Sequence, residues 1–289
     1  MIYKSHYLPN KEYATKEEMF ADLKANLSDI IDFKKGVQKS IDKNSSVVCR
    51  PIDASKFDQE QTKALKLDDN FYYIAVNTTK ILDSHDDVHI DGIWKKTVSE
   101  KQFKNYLVTD HELEVFNTVV RKEYVEIFTA KLPFSLLGYP YEGNTEALIY
   151  KVPKEKVKNE FVKEWLDSGD SIQASVRMKY IKFLFCLDSN NPEDAEFKKN
   201  YDKYIDSIAN KQEFEYIPYF FAILEASNEQ ESSLVIRGSN YVTGQLGTTI
   251  DQEEKSEPPK GTQTNKEEPT EVTQEKKKFN VFIKIKENV

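Results

Sequence analysis

The stretch that decides the fold reads Ser171-Ile172-Gln173-Ala174-Ser175-Val176-Arg177-Met178-Lys179-Tyr180-Ile181. Its β-branched and aromatic residues favour an extended strand. Other strand-like runs precede it at residues 71–76, 124–130 and 147–152, and two more follow at residues 215–225 and 232–236. The sequence therefore predicts a domain in which strands carry most of the core.

Two helices are predicted between these strands. The first opens at Val152-Pro153, places Val157, Phe161 and Trp165 on one stripe, and closes at Gly169. The second covers about residues 192–209. Because strands outnumber helices and the connections vary, we expect an α+β fold with a mainly antiparallel sheet or barrel.

The ends of the chain differ from its centre. Near the N-terminus, Thr15 and Glu18 form a capping-box pattern before an apolar periodicity that predicts one helix ending near Gly36. The predicted divisions are a helical extension at residues 1–68 and a folded domain at 69–246. A charged segment at 247–278 holds too little apolar surface to fold and is predicted to be disordered. A strand-like end follows at 279–289 and is predicted to be a docking segment or a segment removed by self-cleavage.

Composition excludes several classes of protein. The 289 residues carry a net charge of −8, which argues against general nucleic-acid binding, and the 12% aromatic residues argue against wholesale disorder. No apolar run of about 18 residues and no signal-like start are present, so a cytosolic protein without a membrane span is expected. Cys49 and Cys186 form no CxxC pair, and the sequence has no Walker A, GxGxxG or GxSxG motif. Neither a cofactor nor a structural metal is predicted.

One group of side chains has the spacing of metal ligands. His85, Asp87 and His89 would share one face of a strand, where they could hold a metal ion. The same stretch also has the composition of a polar loop before Gly92, and no further ligand lies nearby in the sequence. Both interpretations stay open, with the loop favoured.

Two residues have types and positions suited to nucleophilic catalysis. His111 follows a short apolar run, where a strand meets a loop and a general base is well sited. Ser175 lies inside the strand-like stretch, and its hydroxyl becomes a nucleophile only if a base reaches it. Taken alone, each residue fits a structural role at least as well.

Four blocks, in order, resemble the prohead maturation proteases of tailed bacteriophages, which are related to the herpesvirus assemblins. Residues 77–94 resemble the early block of that family, and residues 108–111 resemble the block that holds its catalytic histidine. Residues 170–178 resemble its nucleophile strand, and residues 231–240 its "E-v-S-l-V-x-x-P-A-N" block. The chain departs from the family pattern at Arg177, where glycine is usual, and at residues 238–240.

The resemblance implies a serine endopeptidase with a barrel of the herpesvirus-protease type and surrounding helices. It implies Ser175 as nucleophile, His111 as general base and Glu231 as the acidic third member, with Glu225 as the rival. Arg177 would contribute to oxyanion stabilisation or anchor an acidic neighbour. No cofactor and no metal is implied.

The implied substrates are scaffold, a removable segment of the major capsid protein, and the chain itself. Cleavage would take place inside the procapsid, in the host cytoplasm, with the shell or portal as further contacts and a homodimer left open. No membrane and no direct nucleic-acid contact are implied. Two alternatives remain: a catalytically inactive assembly protein with the same fold, and a metal-dependent protein built on His85, Asp87 and His89.

Overall fold

The protein has an α+β fold, seen in a computed structural model that describes residues 2–38 and 67–247. In chain order its strands are β1 (Val37–Gln38), β2 (Phe71–Thr78), β3 (Asp87–His89), β4 (Tyr106–Thr109), β5 (Thr118–Val120), β6 (Glu126–Pro133), β7 (Asn144–Pro153), β8 (Gln173–Leu187), β9 (Tyr219–Val235) and β10 (Gly244–Leu246). Its α-helices are α1 (Lys16–Ala25), α2 (Leu27–Lys35), α3 (Lys95–Glu100), α4 (Glu160–Ser168) and α5 (Ala195–Tyr204).

The strands form two sheets. The larger sheet has the order β1-β8-β9-β4-β5, with β3 also paired to β9, and the smaller has the order β10-β2-β7-β6. Most pairings are antiparallel, but β3 and β4 both run parallel to β9. Within the described ranges each sheet ends at edge strands and no barrel closes, so the predicted barrel is wrong.

Strand β9 organises the larger sheet. Its 17 residues pair with β8 along most of their length, while β3 and β4 occupy successive parts of its other edge. The sequence pattern predicted two separate runs here. The residues between them belong to the same strand, because residues 226–228 pair with β8 and the pairing resumes at Ser232 after a register shift.

Strand β8 has two chemically different faces. Ala174, Val176 and Met178 are buried in the main core, which also contains residues of the smaller sheet such as Ile74 and Tyr150. Since successive side chains of a strand point to opposite faces, Ser175 lies on the face away from that core. Burial of the apolar face thus fixes which side of the sheet carries Ser175.

The N-terminal segment packs against this domain. The capping box of Thr15 and Glu18 forms as predicted, but the single predicted helix is two, because the first ends at Ala25, with Asn26 as its C-cap, and the second begins at Leu27. Apolar residues of α1 such as Met19 and Leu23 join the main core. The last residues of the segment form β1, which extends the β8 edge of the sheet.

The two predicted helices are shorter than the patterns suggested. Helix α4 starts after Asn159, whose side chain caps it, and ends at the left-handed Gly169, as predicted for its C-terminus. Its buried face carries Val162 and Leu166, whereas Phe161, expected inside, is exposed. Helix α5 is flanked by short 3₁₀ turns within the predicted range 192–209.

No helix in residues 2–38 and 67–247 is both long and apolar enough to cross a bilayer. The predicted disordered segment beyond residue 247 and the strand-like end at 279–289 lie outside the described residues.

Candidate active site

His111 and Glu231 are in direct contact inside the protein. His111 Nδ1 lies 3.0 Å from Glu231 Oε1 and 3.3 Å from Oε2. An ionised carboxylate only accepts hydrogen bonds, so Nδ1 carries the proton and donates it. In a neutral ring the lone pair then belongs to Nε2. Both side chains are buried, Glu231 completely.

The turn that carries His111 has an unusual backbone. Asp110 and His111 have φ angles of 52° and 59°, in the left-handed region that non-glycine residues adopt at a cost of about 1 kcal/mol or more. Two hydrogen bonds to β9 hold the turn in place. The amide of Asp110 donates to the carbonyl of Leu234 at 3.1 Å, and the amide of His111 donates to Ser233 Oγ at 2.9 Å.

The sheet register places Ser175 beside these groups. Ser175 of β8 pairs with Ser233 of β9, and Ser233 pairs on its other side with Val108 of β4. Directly paired residues project to the same face of a sheet. Glu231 lies two residues before Ser233 in the same strand, so it also projects there. Ser175 and Glu231 therefore share a face with the serine that binds the His111 backbone.

The rival acid, Glu225, lies elsewhere. It is half-exposed on β9, where it pairs with Lys182 and its carboxylate approaches Lys96 of α3 at 3.8 Å. In an unbroken strand Glu225, six residues before Glu231, would point to the same face as Glu231. The pairing register shifts between Glu225 and Glu231, and Gln230 has a φ of 65°. The regular alternation of side chains between the two faces of β9 is therefore interrupted between the two acids. Among the two acids it is Glu231 that touches His111.

Arg177 occupies the irregular part of β8. The flanking residues Val176 and Met178 pair with Ser232 and Asn228, so three residues of β9 lie opposite this single arginine. Its backbone carbonyl accepts a hydrogen bond from Asn228 Nδ2 at 3.1 Å. Its Nε is buried and finds no acceptor among the described residues.

Two residues of this site were not singled out from the sequence. Ser233 positions the His111 turn, and the buried Asn228 donates from Nδ2 to the backbone carbonyl of Glu231 at 2.8 Å. The sequence did contain a sign of the role of Ser233. The polar residues 231–233 stand directly before an apolar run, and a serine buried beside such a run needs a hydrogen-bond partner. Asn228 gave no such signal.

The three proposed metal ligands are engaged in other contacts. The Asp87 carboxylate binds the Lys34 ammonium and accepts a hydrogen bond from Tyr180 at 2.7 Å. His89 Nδ1 accepts from Asn77 at 2.9 Å, and burial lowers the pKa of His89 to about 4. The ring of His85 packs near that of His6. The described residues contain no cluster of three or more His, Cys, Asp or Glu side chains arranged to hold a metal.

Comparison with known protein families, with curated proteins and with solved structures finds no match to this chain.

Proposed function

We propose that the chain is a serine endopeptidase that uses Ser175, His111 and Glu231. The observation that carries the proposal is the buried hydrogen bond between His111 Nδ1 and Glu231, next to a sheet row that contains Ser175. A carboxylate bonded to Nδ1 fixes the ring tautomer, which leaves Nε2 as the base.

The proposed reaction has two halves. Ser175 Oγ attacks the carbonyl carbon of a peptide bond while His111 Nε2 takes the hydroxyl proton, and Glu231 stabilises the resulting imidazolium. His111 then gives the proton to the leaving amine, which departs as the acyl-enzyme forms. A water molecule, deprotonated by the same nitrogen, attacks the ester and releases the new carboxyl terminus and free Ser175.

The family resemblance supplies the proposed substrates and setting. They are scaffold, a capsid-protein segment and the chain itself, cleaved inside an assembling procapsid, with a fold related to the herpesvirus proteases. The alternative is an assembly protein that keeps these residues without using them. Burial of all three side chains makes the distinction worth testing directly.

A fluorophosphonate probe tests the chemistry without knowledge of the substrate. The serine oxygen bonds to phosphorus, fluoride leaves, and the base takes the proton. We expect one adduct, mapped to Ser175 by peptide mass spectrometry, and none in Ser175→Ala. Ser171→Ala changes an exposed serine of the preceding segment and serves as the matched control, with labelling unchanged.

Substitutions of the partners test their roles. His111→Ala should slow labelling by about 10³-fold or more, because the hydroxyl is inert without its base. Glu231→Gln keeps an acceptor for Nδ1 and removes the charge, so it should slow labelling while leaving the unfolding midpoint close to wild type. Co-expression with the capsid protein should then give cleavage that is lost in the same variants. A folded wild-type chain that shows neither adduct nor cleavage would favour the inactive assembly protein.

A further inference from the structure

The loop that carries His111 also exposes a cluster of apolar side chains. The connection between β4 and β5 spans residues 110–117, and within it Val115 is 87% exposed and Phe116 92% exposed, with Leu113 also exposed. Full burial of side chains of this kind is worth about 1.5–3 kcal/mol each. Leaving them in water two to five residues beyond His111 is a cost that a bound partner would recover.

The exposure does not come from a loose hairpin. The amide of Thr109 donates to the carbonyl of Asn117 at 2.9 Å, and Asn117 Nδ2 donates back to Thr109 Oγ1 at 3.1 Å. Across the loop, Thr118 Oγ1 donates to the carbonyl of Glu114 at 2.7 Å. These bonds close the base of the loop, and the apolar side chains of residues 113, 115 and 116 are exposed beyond it.

Acidic side chains alternate with the apolar ones. Glu112 and Glu114 are both exposed, and within residues 2–38 and 67–247 neither forms an ion pair. Two carboxylates that alternate in sequence with exposed apolar residues favour a partner with cationic and apolar groups close together. An acidic or purely polar partner would be repelled or would leave Phe116 in water.

The span of the loop matches a short extended peptide. Consecutive Cα atoms advance by at most about 3.6 Å, so Phe116 lies within about 18 Å of His111 along the chain. An extended peptide of about five residues covers the same length. A substrate held at the proposed active site would thus reach this surface with residues on one side of the scissile bond.

We propose that residues 112–116 form the substrate-recognition surface and bind an extended protein segment that carries a large apolar side chain together with lysine or arginine. The inference rests on the proposed function for the neighbouring site and adds the chemical class of its substrate. The apolar side chain packs on Val115 and Phe116, and the basic side chains pair with Glu112 and Glu114.

Binding is measured on the full-length Ser175→Ala chain, which cannot turn the peptide over. The probe is a fluorescein-labelled synthetic hexapeptide, Lys-Lys-Phe-Ser-Phe-Lys, followed by fluorescence anisotropy. Phe116→Ser should weaken binding by about tenfold or more, as expected for the loss of one buried aromatic contact. The matched control, Phe161→Ser on α4, changes another exposed phenylalanine and should leave the affinity unchanged.

Charge reversal tests the electrostatic half of the proposal. Glu112→Lys with Glu114→Lys should weaken binding of the basic peptide and remove most of its salt dependence. The acidic peptide Glu-Glu-Phe-Ser-Phe-Glu should bind the original chain weakly and this variant more tightly. Equal affinities for both peptides, or equal effects of Phe116→Ser and Phe161→Ser, would overturn the proposal.

Two further readouts separate this inference from the proposed function. Labelling of Ser175 by the fluorophosphonate, with no peptide binding, would leave the protease proposal standing and refute the recognition surface. Peptide binding that is lost in Phe116→Ser, with no labelling of Ser175, would support the recognition surface and count against the protease proposal. If sedimentation shows that Phe116→Ser instead dissociates an oligomer, a second copy occupies the surface and the proposal is wrong.

Discussion

Replacing Lys34 tests the contact that joins the N-terminal segment to the larger sheet. Lys34 of α2 and Asp87 of β3 form an ion pair in which each side chain is 2% exposed. The ammonium also lies over the rings of Phe221, at 4.3 Å, and Tyr7, at 4.7 Å from the ring centres. Lys34→Met keeps the length of the side chain and removes its charge, so the buried Asp87 carboxylate keeps the hydrogen bond from Tyr180 but loses its cationic partner.

The expected loss of stability follows from the burial of the pair. Removing one partner of a buried ion pair costs about 3–5 kcal/mol, because it leaves an uncompensated charge in the interior. Lys34→Met should therefore lower the free energy of unfolding by about 3–5 kcal/mol.

Urea unfolding followed by intrinsic fluorescence measures the loss at pH 7. Asp87→Asn should also destabilise, whereas the double variant Lys34→Met with Asp87→Asn should lose less than the sum of the single losses, by about 2 kcal/mol. Lys11→Met, which removes an exposed pair with Asp22 on the same segment, is the control and should cost about 1 kcal/mol or less. Additive single losses, or a Lys34→Met loss below that of the control, would refute the reasoning.

Three further outcomes follow from buried groups and close backbone contacts. Burial, reinforced by the charge of Asp87, raises the pKa of Asp83 well above its ordinary value, so its stabilising contribution is complete at low pH and is lost as the pH rises. Asp83→Asn should therefore gain stability relative to wild type between pH 5 and pH 8 in urea unfolding, and a constant difference would contradict this. A Cβ on Gly244, whose φ is 135°, would lie 2.6 Å from the carbonyl oxygen of Ile172, so Gly244→Ala should lower the thermal midpoint by several degrees while Gly247→Ala, in open space, should not. Burial raises the pKa of the Cys186 thiol to about 12, so mass spectrometry should find it alkylated at pH 8 only after denaturation, and rapid alkylation of the folded chain would contradict its burial.

The elements that could be predicted from sequence are those with a local physical cause. The capping box at Thr15 and Glu18, the stop at Gly169 and the strand character of residues 171–181 each depend on neighbours within a few residues. The closing of a barrel depends on which edges pair, and no local pattern encodes that choice. The same holds for β3 and β4, which both add in parallel to one long strand.

Long-range polar contacts were the hardest to foresee. Lys34 and Asp87 lie 53 positions apart in the sequence. Taken singly, a lysine or an aspartate is expected at the solvated surface. Likewise, the choice between Glu225 and Glu231 turned on irregular pairing near Gln230, whose positive φ has no signature in its residue type. The approximate position of His111 could be predicted because the end of an apolar run marks the end of a strand. The strained turn that aims its side chain could not.

The burial of Glu231 constrains what its carboxylate can do. A charged group with no exposed surface persists only when its neighbours compensate for the lost water. Its bond to a neutral imidazole is a modest compensation, and the same bond becomes much stronger if the ring gains a second proton and a positive charge. The hydrogen bond between the two side chains is thus stronger with a charged ring than with a neutral one. Transfer of a proton from Ser175 to the ring would create that charge, so the same interaction that orients His111 would also lower the energy of the charge-separated state.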